Sequence, residues 1–161
     1  MSETIALATT VGDRLLARGW FVGTAESCTG GMVAAAITDI AGSSGWFEQG
    51  VVTYANSSKT ALLGVSESTL AEDGAVSEAT VRAMISGVIE SGADIAVATS
   101  GVAGPGGGSE EKPVGTVWFA WGTFDQQIVE KCLFDGDRAA VREQATEHAL
   151  RGILKLLDST V

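Results

Sequence analysis

Trp20-Phe21-Val22-Gly23-Thr24 runs directly into Ala25-Glu26-Ser27-Cys28-Thr29-Gly30-Gly31, and the reading of this stretch decides the fold. Residues 20–24 are aromatic and β-branched, the composition that suits a pleated strand. Beyond the glycines, Met32, Val33, Ala36, Ile37 and Ile40 recur at helical spacing. The unit therefore reads as strand, tight turn and helix. Upstream, Ile5, Ala8, Val11, Leu15 and Leu16 mark an amphipathic helix closed by Gly19. Downstream, Gly42-Ser43-Ser44-Gly45 breaks the second helix and residues 47–54 form the next strand. Asn56 is then the expected N-cap of a short helix over 57–63, with Lys59 in its first turn.

The second half follows the same logic. Val81, Met84, Ile85, Val88 and Ile89 give a buried stripe to a helix over 78–91, ended by Gly92. Residues 95–99 are nearly all apolar, as in a strand buried on both faces. Residues 115–121 and 127–134 read as a hairpin, and Asp137 caps a final helix reaching about Leu157. Early alternation of strands and helices with a late hairpin predicts an α/β fold in which a mixed β-sheet is layered between α-helices. Residues 1–161 read as one domain without repeat or linker.

Composition narrows the function. The chain has 161 residues, 45% of them hydrophobic, enough to bury a sizeable core. Twenty acidic against ten basic side chains give a net charge of -10, which argues against a nucleic-acid partner. The N-terminal stretch carries Glu3 and Asp13 and lacks the basic and apolar regions of a signal peptide, and no segment reaches membrane-spanning length. Two cysteines, Cys28 and Cys132, far apart in sequence, form neither a disulfide framework nor a metal-ligand spacing, and they fit a reducing cytoplasm. No cofactor and no metal are expected. Four tryptophans and an apolar hairpin point to a homodimer.

Two glycine-rich segments could hold chemistry. In residues 26–31 a hydroxyl and a thiol stand at the start of a helix, where free N–H groups favour developing negative charge. Two readings stay open on local pattern: Ser27 as a helix cap with glycines for close packing, or Ser27 at a reactive turn. Residues 100–113 leave the end of the most buried strand, where ligands bind in layered α/β folds. A strand follows this loop and no GxxxxGK[ST] occurs, so it is neither a dinucleotide fingerprint nor a P-loop. Its length leaves a binding loop and a mobile connection equally open. His148 is the sole histidine and reads as a surface or packing residue, without triad partners beside it. Arg138 and Arg142 lie four apart on one helix face; they could clamp an anion, although Asp135, Asp137 and Glu143 nearby favour a solvated ion-pair face.

Taken together and in order, several runs carry a resemblance: residues 24–31, Ile40-Ala41-Gly42-Ser43-Ser44, Gly50-Val51-Val52-Thr53-Tyr54, Lys59, Gly74-Ala75-Val76-Ser77-Glu78, Ser100-Gly101-Val102-Ala103-Gly104-Pro105 and Lys112-Pro113-Val114-Gly115-Thr116-Val117. They resemble the CinA C-terminal domain family over nearly the whole chain, in its stand-alone nicotinamide-nucleotide amidase form. The resemblance implies hydrolysis of nicotinamide mononucleotide (NMN) to nicotinate mononucleotide and ammonia, in pyridine-nucleotide salvage. It also implies a Ser, Tyr and Lys set at Ser27, Tyr54 and Lys59.

On that basis Ser27 is expected to attack the carboxamide carbon, Lys59 to act as base, and Tyr54 to orient Lys59 or relay its proton. Backbone N–H groups among Cys28, Thr29, Gly30 and Gly31 would hold the oxyanion. Ser100, Gly101, Gly104, Arg138 and Arg142 are the expected contacts for the rest of the substrate. A lysine with the ordinary pKa near 10.4 is neutral in only about one molecule in 2,500 at pH 7, so Lys59 must be desolvated. Glu26 must then point away from it or pair with a backbone or ligand group. Cys28 is the rival nucleophile, with a small buried hydrophobe as its bland alternative. The alternatives to NMN deamidation are a non-catalytic, ligand-sensing or competence- or damage-associated module, an amidase for another small carboxamide, and a metal-dependent nucleotide enzyme for which no carboxylate cluster is found.

Overall fold

A computed structural model describes residues 2–160. Five strands and six α-helices follow in the order α1 (Glu3–Arg18), β1 (Val22–Glu26), α2 (Met32–Thr38), β2 (Phe47–Val52), α3 (Asn56–Leu63), α4 (Glu67–Asp73), α5 (Glu78–Glu90), β3 (Ile95–Gly101), β4 (Thr116–Thr123), β5 (Gln127–Leu133) and α6 (Arg138–Ser159), with one 3-10 turn at Ser43–Gly45. The sheet order is β2-β1-β3-β4-β5. β1 pairs in parallel with β2 and β3, while β3-β4 and β4-β5 are antiparallel. This is the mixed sheet the sequence predicts.

Helices cover both faces. α1, α2 and α6 pack together on one side over Leu15, Val33, Trp46, Phe119, Trp121 and Leu150. On the other, α5 packs against β1, β3 and β4, with α3 and α4 behind it, over Leu63, Val81, Met84, Ile85 and Val88. Burial on both faces explains the unbroken apolar run of β3. Trp46 and Trp121 are among the largest fully buried side chains, so half of the tryptophans behind the homodimer expectation are core residues.

Several boundaries differ from the sequence reading. β1 begins two residues later and runs to Glu26, which places Ser27 directly at its end. β2 stops at Val52, leaving Thr53 and Tyr54 in the connection to α3. The cap of α3 is Ala55, without a side-chain bond, and Asn56 is already helical. α4 was not anticipated: it is a two-turn helix whose Ser66 hydroxyl accepts the Thr69 N–H, too short to show an apolar period. Ser100 and Gly101 belong to β3, paired with Trp118 and Val117, so the irregular loop spans residues 102–115.

Candidate active site

The site forms where β1, β2 and β3 end. Ser27 follows β1, its N–H donating to Thr99 O at 3.0 Å, and its side chain is 8% exposed. Lys59 and Leu63 are the buried residues of α3, one turn apart on the stripe that faces the core. The lysine thus occupies a position where the helix pattern calls for an apolar side chain. It is fully buried, and its Nζ donates to Ser27 Oγ at 3.1 Å, Thr53 O at 2.7 Å and Tyr54 O at 3.2 Å.

Three acceptors around one amine can be read in two protonation states. An ammonium donates to all three. A neutral amine donates to the two carbonyls and turns its lone pair to the serine hydroxyl, which then donates. Burial moves Lys59 toward the second state, lowering its pKa below the ordinary lysine value. Among the described residues no carboxylate pairs with Lys59 to oppose that shift.

Glu26 is buried one residue before Ser27, yet it is turned to α2. Its Oε1 accepts from Thr29 Oγ1 at 2.6 Å, Gly31 N at 3.2 Å and Val33 N at 2.9 Å, and its Oε2 from Ala34 N at 3.1 Å. Successive residues of a strand point to opposite faces, so the carboxylate closes α2 on one side of the sheet while Lys59 approaches with α3 from the other. Thr29 Oγ1 also meets Thr99 Oγ1 at 2.8 Å, tying the turn to β3.

These bonds narrow the set of N–H groups free to meet the expected oxyanion. Gly31 N–H is held by Glu26, and Gly30 N–H donates to Ser27 O at 3.0 Å. Cys28 N–H and Thr29 N–H make no backbone bond among the described residues. Gly30 and Gly31 instead provide the turn itself, with φ of 59° and 102°. Burial pushes the Cys28 thiol up to about 11, which disfavours the thiolate a nucleophile would need.

Tyr54 holds Lys59 through its backbone carbonyl, not its phenol. The phenol oxygen, on a side chain 58% exposed, accepts from Arg138 Nη2 at 3.1 Å, and Arg138 Nη1 donates to Gly104 O at 2.8 Å. Arg142 Nε donates to Cys28 O at 3.0 Å. Neither arginine pairs with an acidic group among the described residues, so their contacts are the turn and the loop and not an ion-pair face. Cys28, Tyr54, Gly101, Gly104 and Arg138 line a cleft of about 270 Å³ beside the serine. A second cleft, about 660 Å³, lies alongside between Pro105, Val114, Arg138 and Arg142. Ser100 is buried on β3, opposite Trp118 of β4.

The sequence reading omitted Thr53 and Thr99. Their part is played by main-chain carbonyls on Lys59 Nζ and Ser27 N, which no residue type announces.

A mixed sheet between helical layers, with a serine and a buried lysine joined at its strand ends, is matched by the CinA C-terminal domain model over residues 4–157. The chain belongs to that family. Nicotinamide-nucleotide amidohydrolase PncC of Escherichia coli K12 is 58% identical over 152 residues, covering 93% of this chain and 92% of the relative. The protein of the same name from Pseudomonas putida is 54% identical, covering 97% and 98%. A crystal structure of a CinA superfamily protein from Klebsiella pneumoniae 700603 superposes with a TM-score of 0.93 at 44% identity, covering 98% and 99% of the two chains.

Proposed function

We propose that this chain is a nicotinamide-nucleotide amidohydrolase that converts NMN and water to nicotinate mononucleotide and ammonia. The amidohydrolase class rests on near full-length likeness to the PncC relatives. The observation that carries the chemistry is the 3.1 Å contact between Lys59 Nζ and Ser27 Oγ, with the amine fully buried and its pKa lowered.

Neutral Lys59 takes the Ser27 proton as Oγ bonds to the carboxamide carbon, and the carbonyl oxygen becomes the oxyanion. The N–H groups of Cys28 and Thr29 are the donors left to meet it, each worth roughly 3 to 4 kcal/mol when well placed. Lys59 returns the proton to the nitrogen as the C–N bond breaks and ammonia leaves. Water then attacks the ester carbonyl, gives its proton to Lys59, and Ser27 Oγ departs and is reprotonated. The carbonyls of Thr53 and Tyr54 hold the amine in place throughout.

Arg138 and Arg142 bring positive charge to the cleft of a chain whose net charge is -10, and Arg138 is the proposed partner of the substrate phosphate. Tyr54, held by Arg138, forms the wall against which the nucleotide lies. The cytoplasm is the proposed compartment. Pairing of two chains through the hairpin, where Phe124 is 89% and Leu133 65% exposed, is the proposed assembly.

Ammonia release from NMN, nicotinamide and glutamine tests this reading with wild type, Ser27→Ala and Cys28→Ala. The expected outcome is release from NMN alone, reduced about 10³-fold or more by Ser27→Ala and largely kept by Cys28→Ala. Full activity in Ser27→Ala with loss in Cys28→Ala reverses the nucleophile. No release from any amide by wild type leaves a binding module.

A further inference from the structure

We propose that Glu130, Cys132 and His148 form a binding site for a divalent cation of the zinc class, separate from the amidase centre. Glu130 and Cys132 alternate on β5 and face α6, while His148 reaches down from α6. One ligand atom from each lies within 4.8 Å of the other two. His148 Nε2 is 3.5 Å from Cys132 Sγ and 3.5 Å from Glu130 Oε1.

The Cys132 separation suits a thiol hydrogen bond and two ligands of one ion equally, and the Glu130 separation favours the ion. A good N–H···O bond is about 2.9 Å long, so the Glu130 contact is too far. Zinc bonds of about 2.3 Å to sulfur and about 2.0 Å to nitrogen, at a tetrahedral angle, place the two ligand atoms about 3.5 Å apart. The arrangement also differs from a catalytic triad. In a triad the acid and the nucleophile address opposite ring nitrogens, and here both converge on Nε2.

The histidine is held in place for this task. Its ring lies edge-on to Phe119 at 4.7 Å and to Trp121 at 5.6 Å, which fixes the direction of Nε2. Lys155 approaches Glu130 from the other carboxylate oxygen, Oε2, at 3.9 Å, and leaves Oε1 facing the imidazole. All three ligand residues are half-buried, so an ion is shielded yet keeps a fourth position for water. A thiolate, an imidazole and a carboxylate are the donor set of a borderline cation and not of Mg²⁺ or Ca²⁺. Linear spacing hides the site, because His148 is sixteen residues from Cys132.

Titration of the intact, reduced protein with Zn²⁺ and Co²⁺ tests the site, followed by thiol alkylation with peptide mapping. The expected results are one ion per chain, a thiolate-to-cobalt charge-transfer band, and zinc protection of Cys132 from alkylation. Cys132→Ser is expected to remove the band and weaken Zn²⁺ binding roughly tenfold or more, with His148→Gln acting in the same direction. His148 packs among aromatic rings, so if that variant does not fold, Cys132→Ser on the edge strand decides. Absence of stoichiometric uptake, a cobalt complex without the thiolate band, or uptake unchanged in Cys132→Ser overturns the proposal.

Discussion

Lys59 is the residue on which the proposed chemistry turns, and its setting is unusual for a lysine. It has no counter-ion among the described residues, and the carbonyls that accept from it leave its charge uncompensated. Desolvation without a compensating anion is what lowers an amine's pKa. Glu26, the nearest threat to that logic in sequence, is satisfied by three backbone N–H groups and a hydroxyl on the other face of the sheet. Arg138 is proposed to contact the substrate phosphate, so Arg138→Ala should raise KM for NMN about tenfold or more, as expected when a charge-assisted bond is lost. Its effect on nicotinamide riboside, which lacks the phosphate, should be small. Steady-state kinetics on both substrates checks this, and equal effects would remove Arg138 from the phosphate site.

At the scale of elements, much of the arrangement was legible. The period of α1, α2 and α5, the apolar run of β3 and the hairpin of β4 and β5 follow from burial, which residue type reports directly. A lysine one turn before Leu63 on the same stripe was also a readable sign of a buried amine. Main-chain partners and short elements were not readable. The two carbonyls on Lys59, the diversion of Gly31 N–H to Glu26 and the brief α4 leave no mark in side-chain pattern. Helix α6 shows a further limit of local reading, since Gly152 lowers helix propensity by about 1 kcal/mol against alanine. A Cβ at that position would fall inside the Trp121 indole, whose Nε1 donates to Ala149 O at 2.8 Å. Gly152→Ala is therefore expected to destabilise by about 1 to 3 kcal/mol despite the better helix former, read from urea unfolding. A gain in stability would mean that the indole moves aside freely.

For the whole molecule, the buried amine links the proposed function to stability. The unfolded chain binds a proton on Lys59 up to the ordinary pKa near 10.4, while the folded chain releases it at a lower pH. Between those values the unfolded state holds more protons, so stability rises with pH across that window. Lys59→Met removes this increment. The difference in unfolding free energy between wild type and Lys59→Met should therefore shift in favour of wild type as pH rises toward 10, with the variant at least as stable near neutrality. A difference that stays constant with pH would show that the amine titrates alike in both states.

Ammonia release from NMN by folded Lys59→Met, with Ser27 intact, probes the pairing of amine and alcohol most directly. A loss of about 10³-fold or more, with the fold retained by circular dichroism, is the expected result. A rate within tenfold of wild type would contradict it, because Ser27 would then be losing its proton to some other group.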